Sequence, residues 1–159
     1  MLPHYIIDGY NLLHEIPSLK KLLSHDAAAA REQLIDMIAR LTMKKKSRCT
    51  IVFDGAKPHA GNFPASNTPI HVAYSFPISA DEKIREMIEK SKSRTSLVIV
   101  TSDHEILNFA RVCSCTTHTS KYFRQLLFEE PDNGEEKEQM SLSKEQVKEW
   151  LKIFGEEKR

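Results

Sequence analysis

Cysteine is sparse in this chain. There are three among 159 residues, Cys49, Cys113 and Cys115, an odd number. That count excludes a disulfide-stapled scaffold and makes reduced thiols in the cytoplasm the expected state. Long apolar runs are also missing. No stretch approaches the ~18 apolar residues of a membrane-spanning helix, and Asp8 interrupts the one leader-like run near the N-terminus. A cytoplasmic location without a membrane partner is the expectation. An excess of one charge is lacking too: the net value is +1, so the whole-chain figure says little about partners.

What is present is an ordinary soluble balance, 40% apolar and 28% charged, in a length that suits one domain with one core. Charge is unevenly spread. The segment "EEPDNGEEKE" (129–138) holds six acids and one lysine, net −5, which leaves the remainder at +6. A mildly basic body with an acidic segment suits a polyanion partner. The expected layout is a domain over 1–128, an acidic linker over 129–142, and a C-terminal helix over 143–159. In that helix Val147, Trp150, Leu151 and Phe154 form a docking stripe.

Three short apolar runs each close on aspartate: "HYIID" (4–8), "CTIVFD" (49–54) and "SLVIVTSD" (96–103). Continuous apolarity suits strands covered on both faces, as in a parallel sheet. "IHVAYSF" (70–76) and "CTTH" (115–118) are weaker strand candidates. Between them lie helical patterns at 27–46, 79–92 and 102–112, with Leu34, Ile38 and Leu41 on one stripe of the first and Ile84, Met87 and Ile88 on the second. "PHAGNFPASNTP" (58–69) reads as a long surface loop. Strands alternating with helices give an α/β fold whose central, mainly parallel sheet is flanked by helices.

In such sheets ligands bind beyond the carboxyl ends of the strands, where Asp8, Asp54 and Asp103 all fall. Asp81 joins them by a wheel argument. Ser79 and Glu82 form a capping box, and Asp81 lies roughly 70° from the apolar stripe while Glu82 lies about 170° away. "SDHE" repeats the pattern, with Ser102 as the expected cap and Glu105 closing the box. Strand termination, a turn at Asp54–Gly55 and helix-dipole preference are the plain alternatives for single aspartates. Four together repel, and a divalent cation removes the conflict. Oxygen ligands select Mg²⁺ or Mn²⁺, one or two ions, which suits metal-assisted phosphodiester hydrolysis. Asn11, three residues past Asp8, can orient an aspartate or the water without adding charge.

"IIDGYNLL", "IVFDG", "SADEKI" and "IVTSD", in this order and spacing, resemble the NYN domain of the YacP type, a branch of the PIN-like nuclease group. "LSKEQVKEWLKIFG" resembles its usual ending. The resemblance implies a PIN-like three-layer α/β fold, a Mg²⁺- or Mn²⁺-dependent site and endonucleolytic cleavage of RNA. By motif position, Asp8, Asp54, Asp81 and Asp103 match the acidic quartet, Asn11 the asparagine of the motif, and Ser102 the small polar residue before the last aspartate. The implied partner is RNA, either free or presented by a ribosome or other assembly; oligomeric state is left open. One departure stands out: Cys113 and Ser114 replace the common glycine-alanine pair before the last strand.

Other side chains have two readings. Lys44, Lys45, Lys46 and Arg48 either end a solvated helix or grip phosphates, as do Lys57, His59 and Arg85. Arg85, one turn after Asp81, could instead pair with it. Lys121 and Arg124, beside Tyr122 and Phe123, suit a single strand held by charge and stacking. Cys113, Cys115 and His118 raise zinc, but no second ligand pair exists, and core packing is preferred. Two other functions compete with the nuclease. One is an RNA-binding or complex-forming module with weak or no catalysis. The other is an aspartate-nucleophile phosphatase, disfavoured because Tyr10 stands where a second acid is wanted.

Overall fold

The computed structural model of the chain describes residues 2–59 and 69–129. Five strands form one sheet: β1 (His4–Asp8), β2 (Arg48–Phe53), β3 (Ile70–Tyr74), β4 (Leu97–Val100) and β5 (Thr116–His118). Their order is β3-β2-β1-β4-β5, and every neighbouring pair is parallel. The sheet is therefore wholly rather than mainly parallel. β1 lies at its centre, with register Asp8↔Val52 on one side and Ile7↔Val100 on the other. A strand flanked on both edges and covered on both faces must be apolar throughout, which is why Ile6 and Ile7 are both buried.

Among the described residues six α-helices accompany the sheet: α1 (Gly9–His14), α2 (Pro17–Leu23), α3 (Ala27–Lys44), α4 (Ala80–Lys90), α5 (His104–Val112) and α6 (Ser120–Leu127). One face of the sheet supplies Ile6, Val52 and Ile99 to a core shared with Ala80, Ile84 and Ile88 of α4 and with Ile106 and Ala110 of α5. Ile51 and Phe53 belong to the opposite face, where α1 and α3 pack against β2, and α2 packs on α3. Each fully buried isoleucine or leucine contributes about 1.5–3 kcal/mol relative to exposure, so both layers of helices are held firmly. Cys115 lies in the α4–α5 core with Cys113 packed against it, and all three cysteines are free thiols.

The helices α1, α2 and α6 are absent from the sequence expectation. At six, seven and eight residues they are too short to establish an apolar period. β4 stops at Val100 instead of running to Asp103, because the chain turns at Thr101–Asp103 to enter α5. A further correction concerns that entry. Asp103, not Ser102, is the cap of α5, accepting from the Glu105 and Ile106 N–H groups. At α4 the expected capping box is present in both halves, Ser79 with Glu82.

The chain has two compact units, Met1–Arg124 and Gln125–Arg159. Of the second, only residues 125–129 are described. The expected linker beyond Glu129, the C-terminal helix, and most of the 58–69 loop lie outside the described residues. Among the described residues no helix is long and apolar enough to cross a membrane.

Candidate active site

Three parallel strands deliver three aspartates to one edge. Asp8 is the last residue of β1, Asp54 follows the last residue of β2, and Asp103 lies three residues past β4. Each carboxylate anchors one oxygen on backbone N–H groups. Asp8 Oδ1 accepts from Asn11 N at 3.3 Å and caps α1. Asp54 Oδ1 accepts from Ala80 N at 3.0 Å, at the N-terminus of α4, and Asp103 Oδ1 accepts from Glu105 N at 2.8 Å. Three helix N-termini thus converge with three acids, a favourable dipole arrangement.

Asp81 comes from the first turn of α4. It is half-buried, while its neighbour Glu82 is exposed. Its carboxyl is pushed above the ordinary range by burial, then by a hydrogen bond with Asp103 and that residue's charge, with Arg85 opposing and Asp54 adding. Asp8, only 7% exposed, is pushed up to about 6. Burial is the largest cause; the Asn11 N–H opposes it, and the charges of Asp81, Asp54 and Asp103 add to it. Asp8 and Asp81 therefore feel the other acids of this edge as well as their own burial.

Asn11 ties the two halves of the edge together. Its Oδ1 accepts from Thr101 Oγ1 at 3.2 Å, from Ser102 N at 2.7 Å and from Ser102 Oγ. One amide oxygen from α1 thereby holds the turn that carries Asp103. Thr101, fully buried, also accepts from the Asp103 N–H at 3.2 Å. Ser75 does similar work at Asp54, accepting from Gly55 N at 3.0 Å while its hydroxyl lies 3.5 Å from Asp54 Oδ1. Sequence reading missed both residues. Thr101 sits inside the "IVTSD" motif, but nothing about Ser75 marks it.

Among the described residues, no three His, Cys, Asp or Glu side chains form a group that could hold an ion by themselves. A carboxylate has about four lone-pair sites, so anchoring Oδ1 leaves each aspartate capacity for a cation or its waters. Mg²⁺ commonly takes one or two protein carboxylates and completes its shell with water and phosphate oxygens. The residues fit a divalent ion held in that open manner.

The YacP-like NYN domain matches residues 5–157 of the chain. The chain belongs to the YacP-like NYN family. This branch of the PIN-like nucleases is nuclease-related and generally uses divalent metals. Two crystal structures of Rae1 (YacP) from Bacillus subtilis share the fold, the W164L mutant at TM-score 0.63 and the other at 0.64. Both are 22% identical to this chain; the alignments cover 79% of it and 75% and 74% of those chains. No curated protein matches it.

The basic residues of this NYN domain divide by location. α3 runs back to the start of β2, so Lys44, Lys45, Lys46 and Arg48 gather at the amino edge of the sheet. A six-residue strand, roughly 20 Å, separates that edge from the aspartates. Lys46 adopts φ 50°, with Ser47 N bonded to Thr42 O, as the chain turns into β2. Lys57 and His59 are exposed in the segment after Asp54. Arg85 does not pair with Asp81. Its guanidinium lies 3.8 Å from Glu105 and 5.1 Å from the Phe109 ring centroid. The structure corrects the stacking role of Phe123: it is fully buried and packs on Tyr5. Its neighbour Tyr122 is 46% exposed and meets His118 edge-on. Lys121 is exposed and Arg124 half-buried on the same helix.

Proposed function

We propose that the protein is an endoribonuclease that hydrolyses RNA phosphodiester bonds with one or two Mg²⁺ or Mn²⁺ ions. The observation that carries this reading is the gathering of acids at one sheet edge: Asp8, Asp54 and Asp103 follow three adjacent parallel strands, and Asp54 accepts from Ala80 N at the start of the helix that carries Asp81. Unrelieved, their repulsion is costly; a divalent cation and its bound phosphate resolve it. When bound, the ion supplies an activated water and neutralises charge developing on the phosphodiester. Asp8, Asp54, Asp81 and Asp103 hold it, directly or through water. Asn11 and Ser102 are positioning residues that keep the Asp103 turn against α1. In-line attack by water leaves a 5′-phosphate and a 3′-hydroxyl, and the substrate RNA reaches the site free or presented by an assembly such as the ribosome.

The test is incubation of purified protein with mixed single- and double-stranded RNA, with Mn²⁺ or with EDTA. Cleavage with Mn²⁺, none with EDTA, and a loss of at least 100-fold in a folded Asp8→Asn variant is the expected pattern, on the order of the effect of losing a metal or transition-state contact. Full cleavage by Asp8→Asn would remove the mechanism. Since no three described side chains form a complete ligand set, a second reading has a footing: an RNA-binding module with weak or no catalysis. RNA binding without products at high protein excess is its signature.

A further inference from the structure

Arg31 has no part in the reading above, yet it stands on the same edge. α3 runs antiparallel to the strands, so its second turn, which carries Arg31, lies near their carboxyl ends. Arg31 Nη1 donates to Tyr10 Oη at 3.2 Å, and its charge lies near enough to the Tyr74 phenol to oppose the rise that burial gives that group. Tyr10 is two residues past Asp8, and Tyr74 ends β3 opposite Phe53. The two phenols are themselves fixed. Tyr10 meets the Phe53 ring edge-on at 5.0 Å, and Phe53 stacks on Tyr74 at 5.7 Å.

A half-buried guanidinium normally has a carboxylate partner, because desolvating a charge without one is expensive. The hydrogen-bond partner the structure gives Arg31 is a neutral phenol, Tyr10. Neutral phenols orient its donors and supply no countercharge of their own. Arginine presents five N–H donors in a rigid fork that matches a phosphate, and two tyrosines do not exhaust them. A cation held this way beside an acidic metal site suits one ligand above others, a strand that carries several phosphates.

From this we infer that Arg31, braced by Tyr10 and Tyr74, is a subsite for a backbone phosphate of the RNA strand, offset from the scissile bond toward the β3 side of the edge. The inference rests on the nuclease reading and deepens it. Arg31 would set how the strand enters and would contribute binding without touching the reacting atoms.

Anisotropy of a labelled single-stranded RNA, read in EDTA at several KCl concentrations, measures this without turnover. Arg31→Gln should bind several-fold more weakly, and the slope of log affinity against log salt should flatten by about 0.7, the value for one phosphate contact on a single strand. Arg31→Lys keeps the charge and should recover most of that slope with part of the affinity. With Mn²⁺ present, Arg31→Gln should raise KM more than it lowers kcat. Wild-type affinity and slope in Arg31→Gln would overturn the subsite and leave the nuclease reading standing. Equal losses in both variants, with a matching fall in Tm, would assign Arg31 to packing and overturn it as well. Wild-type protein that neither binds nor cleaves RNA would overturn subsite and nuclease together.

Discussion

Asp8 concentrates the tension in this molecule. Its carboxyl titrates near 6 in the fold against an ordinary 3.8, so the folded state holds the proton more tightly than the unfolded chain. Between those values the native state binds more protons, and stability falls as pH rises from about 4 through 6. Above pH 6 the metal-free protein carries the full penalty, about 3 kcal/mol for a shift of this size. Asp8→Asn should therefore be more stable than wild type at pH 7.5 by roughly 1–3 kcal/mol in EDTA, the difference shrinking to nothing below pH 4. Denaturant titrations of both proteins at pH 3.5, 5 and 7.5 check this. Equal stability at every pH would show that Asp8 is not under electrostatic load.

Elements explain which parts of the site could be read in advance. β1, β2 and β4 announce themselves as unbroken apolar runs ending in aspartate, because both faces are buried, and that made Asp8, Asp54 and Asp103 visible together. Asp81 was accessible because α4 has a clear apolar stripe and a capping box on either side of it. Short helices gave no such signal, so α1 was missed, and with it the way Asn11 latches two strands. Asp103 outcompeted Ser102 for the cap because Ser102 turns toward Asn11. The place of the lysine cluster was not legible, because adjacency to a helix end says nothing about which edge of a sheet that end reaches. Gly9 also has its explanation here. A Cβ on it would lie 2.5 Å from the Phe53 ring, so only glycine lets α1 start directly after Asp8. Gly9→Ala should cost about 1–3 kcal/mol by overpacking and should displace Asp8, read as a lower Tm and reduced cleavage. α5 ends with Ser114 in a left-handed turn at φ 72°, Cys115 N bonded to Ala110 O and Ser114 N to Arg111 O. Glycine is the usual residue there. Ser114→Gly should therefore raise stability by up to about 1 kcal/mol, measurable as a higher denaturant midpoint at unchanged slope.

Across the whole molecule, a parallel sheet with β1 at its centre brings together acids from positions 8, 54, 81 and 103, and three helix N-termini converge behind them. That arrangement tolerates negative charge only partly, as Asp8 and Asp81 show. Cation binding is the expected relief, and a ligand that binds only the folded state raises its stability by mass action. The most direct measurement is a crystal soaked in Mn²⁺, with the anomalous scattering located relative to the four aspartates. One or two peaks within ligand or water-bridged distance of Asp8, Asp54, Asp81 and Asp103 are the result expected. A crystal in which Mn²⁺ binds elsewhere and leaves that edge empty would contradict it.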